Sequence, residues 1–323
     1  MRAAYYERNG TAREVLQIGE VETPSPKPGE LRVKLATSGV NPSDVKSRMG
    51  LTRKIAWPRV IPQSDGAGVI DQVGDGVPAS RIGERVWVWN GQWKRAFGTA
   101  AEYITLPSAQ AVKLPEKVNF EEGACLGIPA MTAIHAVALA APGKGSTLLV
   151  SGGAGAVSQY VIQFAKALGA TVLTTISSAE KAEAAHAAGA DHAIDYKRED
   201  VDARVMQVTD KKGVDAVIEM DLTANAKLLP TVLRPKGSVI IYGTTPEATI
   251  PAAFCLTNSI RLQFFLVYEL DAGERERAIA GITRALEQGA LRNQVGLNLA
   301  LADCVAAHEA VEKGTIGNVV VRL

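Results

Sequence analysis

The sequence feature that most limits the possible folds is a glycine-rich turn between an apolar strand and an amphipathic helix. The chain reads STLLVSGG from residue 146 and continues as AGAVSQYVIQFAKALG, with apolar side chains at helical spacing. Gly152 and Gly155 have the spacing that a dinucleotide fold uses for a tight turn and a close backbone approach to a pyrophosphate, and Ser158 stands at the third glycine position. Because the turn lies between a strand and a helix, it predicts a βαβ dinucleotide-binding unit.

The regions on the two sides of residue 120 differ in composition. All four tryptophans and nine of the fifteen prolines precede that residue, among short β-branched segments, which is typical of a β-rich domain. Beyond it, apolar segments of strand length alternate with alanine-rich segments of helical period. This alternation predicts at least five parallel strands in a doubly wound sheet. A length of 323 residues fits two domains.

Charge and cysteine usage restrict the possible partners and the compartment. The 35 basic side chains nearly balance the 34 acidic ones, and a net charge of +1 offers no field that attracts nucleic acid or an anionic membrane. No apolar segment approaches the roughly 18 residues that span a bilayer, and no signal-peptide core follows Met1, so we expect a cytoplasmic protein without nucleic-acid or membrane partners. Three cysteines without a CxxC pair predict reduced, buried thiols.

The end of the second strand of the βαβ region predicts which dinucleotide is bound. An NAD site expects a carboxylate there to hold the ribose hydroxyls, but this sequence has Ser177, Ser178 and Lys181. Hydroxyls and an ammonium bind a 2′-phosphate that a carboxylate would repel, so the expected cofactor is NADPH. Ser177 and Glu180 also fit the capping box of the next helix. Tyr196 fits either a cover for the adenine or a solvated loop.

Seven segments, in order along nearly the whole chain, resemble the zinc-independent quinone oxidoreductases of the medium-chain dehydrogenase/reductase superfamily, the group of zeta-crystallin. The matching segments are GVNPSDVKSRMG (39–50), SDGAGVIDQVGDGV (64–77), GTAAEYITLP (98–107), LPEKVNFEEGACLGIPAMTAIHAV (114–137), SGGAGAV (151–157), IEMD (218–221) and AHEAVEKGTIGNVVV (307–321).

The resemblance implies an α/β fold with two domains. Residues 1–122 and 268–323 are expected to form a GroES-like, partly open β-barrel catalytic domain. Residues 123–267 are expected to form a Rossmann domain that binds NADPH on a doubly wound parallel sheet. The resemblance also implies a homodimer, in similar proteins built partly by pairing the strand that corresponds to RLQFFLVYEL.

The metal ligands of the zinc alcohol dehydrogenases in the same superfamily are missing. Asn41 takes the position of the cysteine ligand, Ser64 or its neighbour takes that of the histidine ligand, and there is no four-cysteine lobe. The missing ligands exclude a zinc Lewis-acid mechanism, and no metal site is expected. Quinones and conjugated enones accept hydride equivalents without a metal, which agrees with the resemblance.

The resemblance also implies site residues. Asn41 and Lys46 are expected near the nicotinamide and its acceptor, although many relatives carry tyrosine at the position of Lys46. Ile128 and Thr132 are expected to line the nicotinamide pocket, with interdomain packing as their alternative role, and Asn318 stands where relatives often have lysine. The remaining cofactor residues are Gly152, Gly153, Ala154, Gly155, Ala156 and Val157 at the pyrophosphate; Ser177, Ser178, Lys181 and Tyr196 at the adenosine end; and Gly243, Thr244, Phe265, Leu266 and Val267 at the nicotinamide.

Two features leave the chemistry open. No histidine, cysteine or carboxylate in these motifs is positioned by sequence as a general acid, so we predict no catalytic residue. Trp87, Trp89 and Trp93 fit an aromatic wall for a planar acceptor, but burial in the barrel is the favoured interpretation because aromatic side chains mostly bury area.

The predicted function is NADPH-dependent reduction of a quinone. A reductase of α,β-unsaturated carbonyls is the alternative enzyme, since it would use the same fold, cofactor and metal-free hydride transfer. A non-catalytic NADPH-binding protein is the alternative from a different class. The sequence does not identify the physiological acceptor.

Overall fold

The computed structural model describes all 323 residues, and the chain forms two compact units. The first unit combines residues 1–129 with residues 282–323, and the second comprises residues 130–281. One unit carries a mostly antiparallel sheet and the other a parallel sheet flanked by helices, which confirms the predicted α/β fold class. The division of the functional domains at 122/123 and 267/268 stays a prediction.

The strands and helices are numbered along the whole chain. The strands are β1 (Arg2–Tyr5), β2 (Gln17–Glu20), β3 (Glu30–Val40), β4 (Asp65–Val73), β5 (Arg85–Val88), β6 (Tyr103–Pro107), β7 (Ala111–Lys113), β8 (Thr147–Val150), β9 (Thr171–Ile176), β10 (His192–Asp195), β11 (Val214–Glu219), β12 (Leu233–Ile241), β13 (Arg261–Phe264), β14 (Val295–Ala300) and β15 (Asn318–Arg322). The helices are α1 (Ala12–Val15), α2 (Pro42–Met49), α3 (Phe120–Gly123), α4 (Met131–Ala140), α5 (Ala156–Ala167), α6 (Ala179–Ala187), α7 (Val201–Val208), α8 (Leu222–Asn225), α9 (Leu229–Val232), α10 (Ala252–Thr257), α11 (Ala272–Glu287) and α12 (Cys304–Lys313).

The parallel sheet of the second unit has the glycine-rich turn near its centre. Its six strands follow the order β10-β9-β8-β11-β12-β13. The chain moves outward from β8 to β10 and then returns to the other side of β8 with β11. The turn that follows β8 therefore lies at the topological switch point, where doubly wound folds bind their ligands.

The predicted βαβ unit is confirmed by β8, α5 and β9. Helix α5 buries Tyr160, Val161, Phe164 and Ala165, since these side chains recur at helical spacing and face the sheet. The helix stops before Gly169, whose φ of +82° suits glycine. The predicted strand RLQFFLVYEL is shorter in the structure, because β13 ends at Phe264 and a 3₁₀ turn follows at Val267–Glu269.

The sheet of the first unit is built from both ends of the chain. Its strands follow the order β14-β15-β3-β4-β5-β7, and β6 also pairs with β3. The C-terminal β15 is antiparallel to β3, with Val319 opposite Val40. Along β3, Leu31, Val33 and Leu35 are buried at every second position, which is the period of a strand with one face on the core.

Two further sequence expectations concern cysteines and membrane segments. Cys125 and Cys304 are buried free thiols, whereas Cys255 is partly exposed, so the prediction that all three are buried is wrong for Cys255. Its helix α10 buries none of its residues. None of the helices has the length and apolarity that crossing a bilayer requires.

Candidate active site

The predicted cofactor residues of the second unit lie mostly at one edge of its sheet. The strands run in parallel, so their carboxyl ends meet at the same edge. The glycine-rich turn follows β8, Ser177 follows β9, Tyr196 follows β10, Gly243 follows β12 and Phe265 follows β13. Segments that are far apart in sequence are therefore brought to one edge by topology.

Glycine is required at two positions of the turn after β8. Gly152 has a φ of +64°, which side-chain-bearing residues rarely adopt. A Cβ added to Gly153 would lie 2.3 Å from the hydroxyl oxygen of Thr174 on β9. The N–H groups of Gly152 and Gly153 donate to the side-chain and backbone oxygens of Thr175, each at 3.0 Å. These contacts hold the turn against β9.

The N-terminus of α5 fits the pyrophosphate of a dinucleotide. The helix begins after Gly155 without a side-chain cap, and first-turn N–H groups have no acceptor within their own helix. These N–H groups and the helix dipole favour an anion. A Cβ added to Gly155 would meet no atom closer than 3.3 Å, so the approach to the amides is open. The amides of Ala156 and Val157 suit phosphate binding, whereas those of the three glycines are bonded within the protein and shape the turn.

A buried glutamate that sequence reasoning missed stabilises this turn. Glu219, at the end of β11, is only 2% exposed. Its Oε2 accepts a hydrogen bond from the Ser151 hydroxyl at 2.6 Å, and its Oε1 accepts from the Asp221 backbone N–H at 2.6 Å and from the Asn225 amide at 3.0 Å. The motif IEMD contains Glu219, but only the strand order shows that β11 lies beside β8.

The residues predicted to select NADPH lie together after β9. Lys181 Nζ donates to the Ser177 hydroxyl at 3.2 Å. The N-cap of α6 is Ser178, whose hydroxyl accepts from the Lys181 backbone N–H at 3.3 Å, so the predicted capping box of Ser177 and Glu180 is wrong. Because Ser178 caps the helix, the Ser177 hydroxyl is left to the lysine. Tyr196 is 55% exposed. Its backbone N–H donates to the carbonyl oxygen of Ile176, so Tyr196 lies beside the end of β9.

The residues predicted for the nicotinamide end of the second unit differ in exposure. A Cβ at Gly243 would lie 1.9 Å from the carbonyl oxygen of Met220, so the backbones approach closely there. The Phe265 ring packs edge-on against the ring of His135, with centroids 4.8 Å apart. The remaining positions are Thr132, buried on α4; Thr244, whose hydroxyl is 3.1 Å from that of Thr223; Leu266, exposed; and Val267, buried.

In the first unit, Asn41 links two buried carboxyl groups. Its side-chain amide donates to Asp65 Oδ2 at 2.8 Å, and its backbone N–H donates to Asp44 Oδ2 at 2.8 Å. Asn41 is the N-cap of α2, and Asp44 lies in the first turn of that helix. Burial raises the pKa of Asp44 to about 7 and raises the pKa of Asp65 well above its ordinary value. The beginning of α2 is therefore fixed to β4 by hydrogen bonds to two carboxyl groups, whose protonated forms are favoured by burial.

The same Asp65 contacts the segment that contains Ile128. The backbone N–H of Ile128 faces the carboxyl group and lowers its pKa, and a Cβ added to Gly127 would lie 2.1 Å from Asp65 Oδ1. Ile128 is buried in a π turn over Leu126–Ala130. Asp65 thus joins two predicted cofactor residues, Asn41 and Ile128. The sequence indicated it only as part of the motif SDGAG.

The other predicted residues of the first unit have separate environments. Lys46 is exposed on α2. Ser64 is buried, and its hydroxyl accepts from the Gln92 backbone N–H at 3.3 Å. Asn318 precedes Val319, the partner of Val40, and therefore lies at the same end of the strand pair as Asn41. Its side-chain amide donates to the carbonyl oxygen of Gln294 at 3.0 Å.

The tryptophan segment contains side chains of different exposure. Trp87 on β5 is fully buried, as the core-packing interpretation predicts. Trp93 is partly exposed and lies under two cationic groups, the guanidinium of Arg53 at 5.1 Å and the ammonium of Lys94 at 5.5 Å from the ring centroid. No three histidine, cysteine or carboxylate side chains are grouped to hold a metal ion.

Comparison with known proteins places both units in one superfamily. Residues 27–116 match the alcohol dehydrogenase GroES-like domain, and residues 156–284 match the zinc-binding dehydrogenase family. A mycobacterial protein solved in complex with NADPH superposes on this chain with a TM-score of 0.89 and 28% identity, over 100% of both chains. The two units and these matches define a medium-chain dehydrogenase/reductase.

Relatives of known activity narrow this class. The chain is 32% identical over 310 residues to the quinone oxidoreductase of Mus musculus. This alignment covers 94% of this chain and 91% of the mouse protein. It is 27% identical over 334 residues to the 2-haloacrylate reductase of a Burkholderia species, over 99% and 98% of the two chains. The chain belongs to the quinone oxidoreductase family, which confirms the resemblance found in the sequence motifs.

Proposed function

We propose that this protein is an NADPH-dependent quinone oxidoreductase that needs no metal. The observation that carries the choice of cofactor is the pair of Ser177 and Lys181 after β9, where an NAD site has a carboxylate. The uncapped N-terminus of α5 at the same sheet edge supplies amides for the pyrophosphate. The NADPH-bound mycobacterial structure and the mouse quinone oxidoreductase support the two halves of this proposal.

The protein's own residues bind and orient the reactants. When bound, NADPH supplies the reducing equivalents. In the second unit, Lys181 and Ser177 hold the 2′-phosphate, and the amides of Ala156 and Val157 hold the pyrophosphate. In the first unit, Asn41 and Asp65 fix the beginning of α2, and with it Lys46, for the acceptor. We assign no side chain as proton donor and expect the protons to come from solvent.

The test is steady-state oxidation of NADPH and of NADH with 1,4-naphthoquinone. We expect NADPH to be the better donor and the quinone to be reduced faster than 2-alkenals. Equal efficiency with NADH would overturn the cofactor assignment. Tight NADPH binding without turnover of any acceptor would instead establish the non-catalytic alternative.

Reduction of an activated carbon–carbon double bond is the second candidate function. The observation that favours it is the Burkholderia 2-haloacrylate reductase, which matches almost the whole chain. Dominant turnover of 2-alkenals or enones over quinones in the same assay would establish it.

We further propose a homodimer formed along β13. This strand is the outer strand of the parallel sheet, so one of its edges has no partner within the chain. Phe264, the last residue of β13, is 58% exposed, and Leu266, two residues further on, is 48% exposed. Leu256 of the preceding helix α10 is 82% exposed. Light scattering of the purified protein should give the mass of two chains, and Phe264→Glu should give one.

The cytoplasm is the compartment that we propose. The three free cysteines fit a reducing environment. Cell fractionation tests this assignment, and recovery of the protein outside the cytoplasm would overturn it.

A further inference from the structure

Arg53 is a guanidinium held in place by uncharged groups. Its Nε donates to the Ser47 hydroxyl at 3.1 Å, its Nη2 donates to the Gln92 side-chain oxygen, and it lies over the Trp93 ring. Other arginines of the first unit pair with carboxylates instead: Arg32 with Asp71, Arg48 with Glu312 and Arg59 with Glu7. Arg53 is therefore fixed in orientation while its charge is not neutralised by its hydrogen-bond partners.

Both partners of Arg53 connect it to the predicted acceptor residues. Ser47 lies on α2, next to Lys46 and in the helix that Asn41 caps. Gln92 donates its backbone N–H to the Ser64 hydroxyl, and Ser64 precedes Asp65, which binds the Asn41 amide. The guanidinium is thus linked to α2 directly through Ser47. It is linked to the beginning of β4 through Gln92 and Ser64.

The electrostatics around α2 favour an anion. Lys46 is exposed on the helix, and Arg53 and the exposed Lys54 follow it. The acid of this helix, Asp44, is buried, and burial raises its pKa to about 7, so near neutral pH it is only partly ionised. The Arg48 charge is paired with Glu312. Asp44 interacts with the charge of Arg53, but one partly ionised carboxyl group cannot balance Lys46, Arg53 and Lys54 together, so positive charge remains for a ligand.

We propose that the acceptor of this enzyme carries a carboxylate beside its conjugated system and that Arg53 binds this carboxylate. A fixed planar guanidinium with an ammonium nearby suits a carboxylate, which accepts charge-assisted hydrogen bonds. In the reaction the acceptor gains a hydride at its β-carbon and a proton from water at its α-carbon, NADPH is oxidised to NADP⁺, and the carboxylate is unchanged. The inference rests on the second candidate function, the reduction of an activated carbon–carbon double bond, because hydride addition to a β-carbon is that reaction.

The test compares trans-4-oxo-2-pentenoate with its methyl ester, which removes the charge and keeps the enone. Both are assayed at saturating NADPH, with 1,4-naphthoquinone in parallel. The quantity compared is the ratio of kcat/KM for the acid to kcat/KM for the ester, because the two compounds differ in intrinsic reactivity. We expect Arg53→Gln to lower this ratio about tenfold or more, and Arg53→Lys to retain part of it.

Arg59→Gln is the matched control. Arg59 also lies over an aromatic ring, that of Tyr5 at 4.3 Å, but it pairs with Glu7 and is bonded to neither Ser47 nor Gln92. We expect this substitution to leave the acid-to-ester ratio unchanged. In the wild type, KM for the acid should also rise with salt concentration more than KM for the ester, because salt screens the charge interaction.

Three outcomes would overturn the inference. Equal losses for acid and ester in both Arg53 variants would show a structural role for Arg53. A raised KM for NADPH with an unchanged ratio would assign the guanidinium to the cofactor. Reduction of 1,4-naphthoquinone with a ratio unaffected by Arg53→Gln would overturn this inference alone, whereas absence of turnover with every acceptor would overturn the proposed function as well.

Discussion

The candidate binding regions of the two units are built from different chemical groups. In the second unit, the glycine-rich turn and the beginning of α5 offer backbone amides, and glycines make room for them. In the first unit, Asn41, Asp44 and Asp65 form a cluster of side chains that is almost completely buried. We call these regions the cofactor part and the acceptor part after their proposed ligands. The cofactor part depends on backbone shape, and the acceptor part depends on side-chain hydrogen bonds.

This difference determines how each part tolerates change. A backbone site is damaged by added atoms, because a Cβ in a close approach displaces the main chain. A side-chain cluster is damaged by removed atoms, because a buried polar group is left without its partner. Substitutions that add or remove atoms therefore distinguish the two parts.

The largest effect is expected for Gly243→Ala in the cofactor part. The added Cβ would lie 1.9 Å from the Met220 carbonyl oxygen, and a backbone atom cannot turn away as a side chain does. We expect a loss of about 3 kcal/mol in unfolding free energy, which is the upper end of the usual cost of overpacking, and a fall of several degrees in Tm. NADPH binding should become at least about tenfold weaker, because the displaced backbone belongs to the cofactor part. Thermal unfolding and NADPH titration measure these effects.

Gly143→Ala is the control for this substitution. A Cβ there would meet no atom within 4 Å, and the residue does not require a positive φ. It should leave Tm and NADPH affinity nearly unchanged. Normal Tm and affinity in Gly243→Ala would contradict the dependence of the cofactor part on backbone shape.

The next effect is expected for Asp65→Ala in the acceptor part. The substitution leaves the buried Asn41 amide without its partner and removes the group that the Ile128 N–H faces, at a cost of about 2 kcal/mol. Asp71→Ala, which breaks a half-buried pair with Arg32, should cost about 1 kcal/mol or less. Urea unfolding measures both.

A double substitution sharpens the interpretation of Asp65→Ala. If the two side chains act as one unit, Asn41→Ala should cost much less in the Asp65→Ala background than in the wild type. Additive losses would contradict the cluster.

The contrast between the two parts also explains which features could be predicted from the sequence. The turn after β8 was predictable because glycine spacing and strand–helix order are local, and Ser177 and Lys181 were predictable from the end of the second strand. Gly243 and Phe265 were implied only by the family resemblance. Glu219 was missed because its partner Ser151 follows another strand, β8, which becomes a neighbour of β11 only in the folded sheet. The link between Asn41 and Asp65, and the anchoring of Arg53 through Gln92, join segments that are far apart in the chain, and nothing in their local patterns specifies the contacts.

A smaller effect is expected from the titration of Asp44. Its pKa is about 7 in the folded protein and near 3.8 when unfolded, so the folded state binds more protons between these values. The unfolding free energy contributed by Asp44 therefore falls as pH rises from about 4 to 8 and stays constant above, with a change on the order of 2 kcal/mol between pH 5 and 7.

The measurement is urea unfolding of the wild type and of Asp44→Asn across pH 5 to 8. The asparagine does not titrate, and its oxygen still accepts from the Asn41 N–H. The stability difference between wild type and variant should therefore shift in favour of the variant as pH rises. A difference that is constant with pH would show that Asp44 is ionised throughout and that the cluster is not built around a protonated carboxyl group.

The smallest effect is expected for Lys181→Ala, where the cofactor part does use a side chain. Lys181 is bonded to the Ser177 hydroxyl and lies at the partly exposed edge of the sheet, so salt and solvent weaken its charge interaction with a 2′-phosphate. We expect kcat/KM for NADPH to fall about fivefold, which is about 1 kcal/mol, and kcat/KM for NADH to stay unchanged. Lys212→Ala, at an exposed lysine of the α7–β11 connection, should change neither value. Equal losses with both donors would mean that Lys181 supports α6 and does not read the phosphate, and the cofactor part would then depend on backbone groups alone.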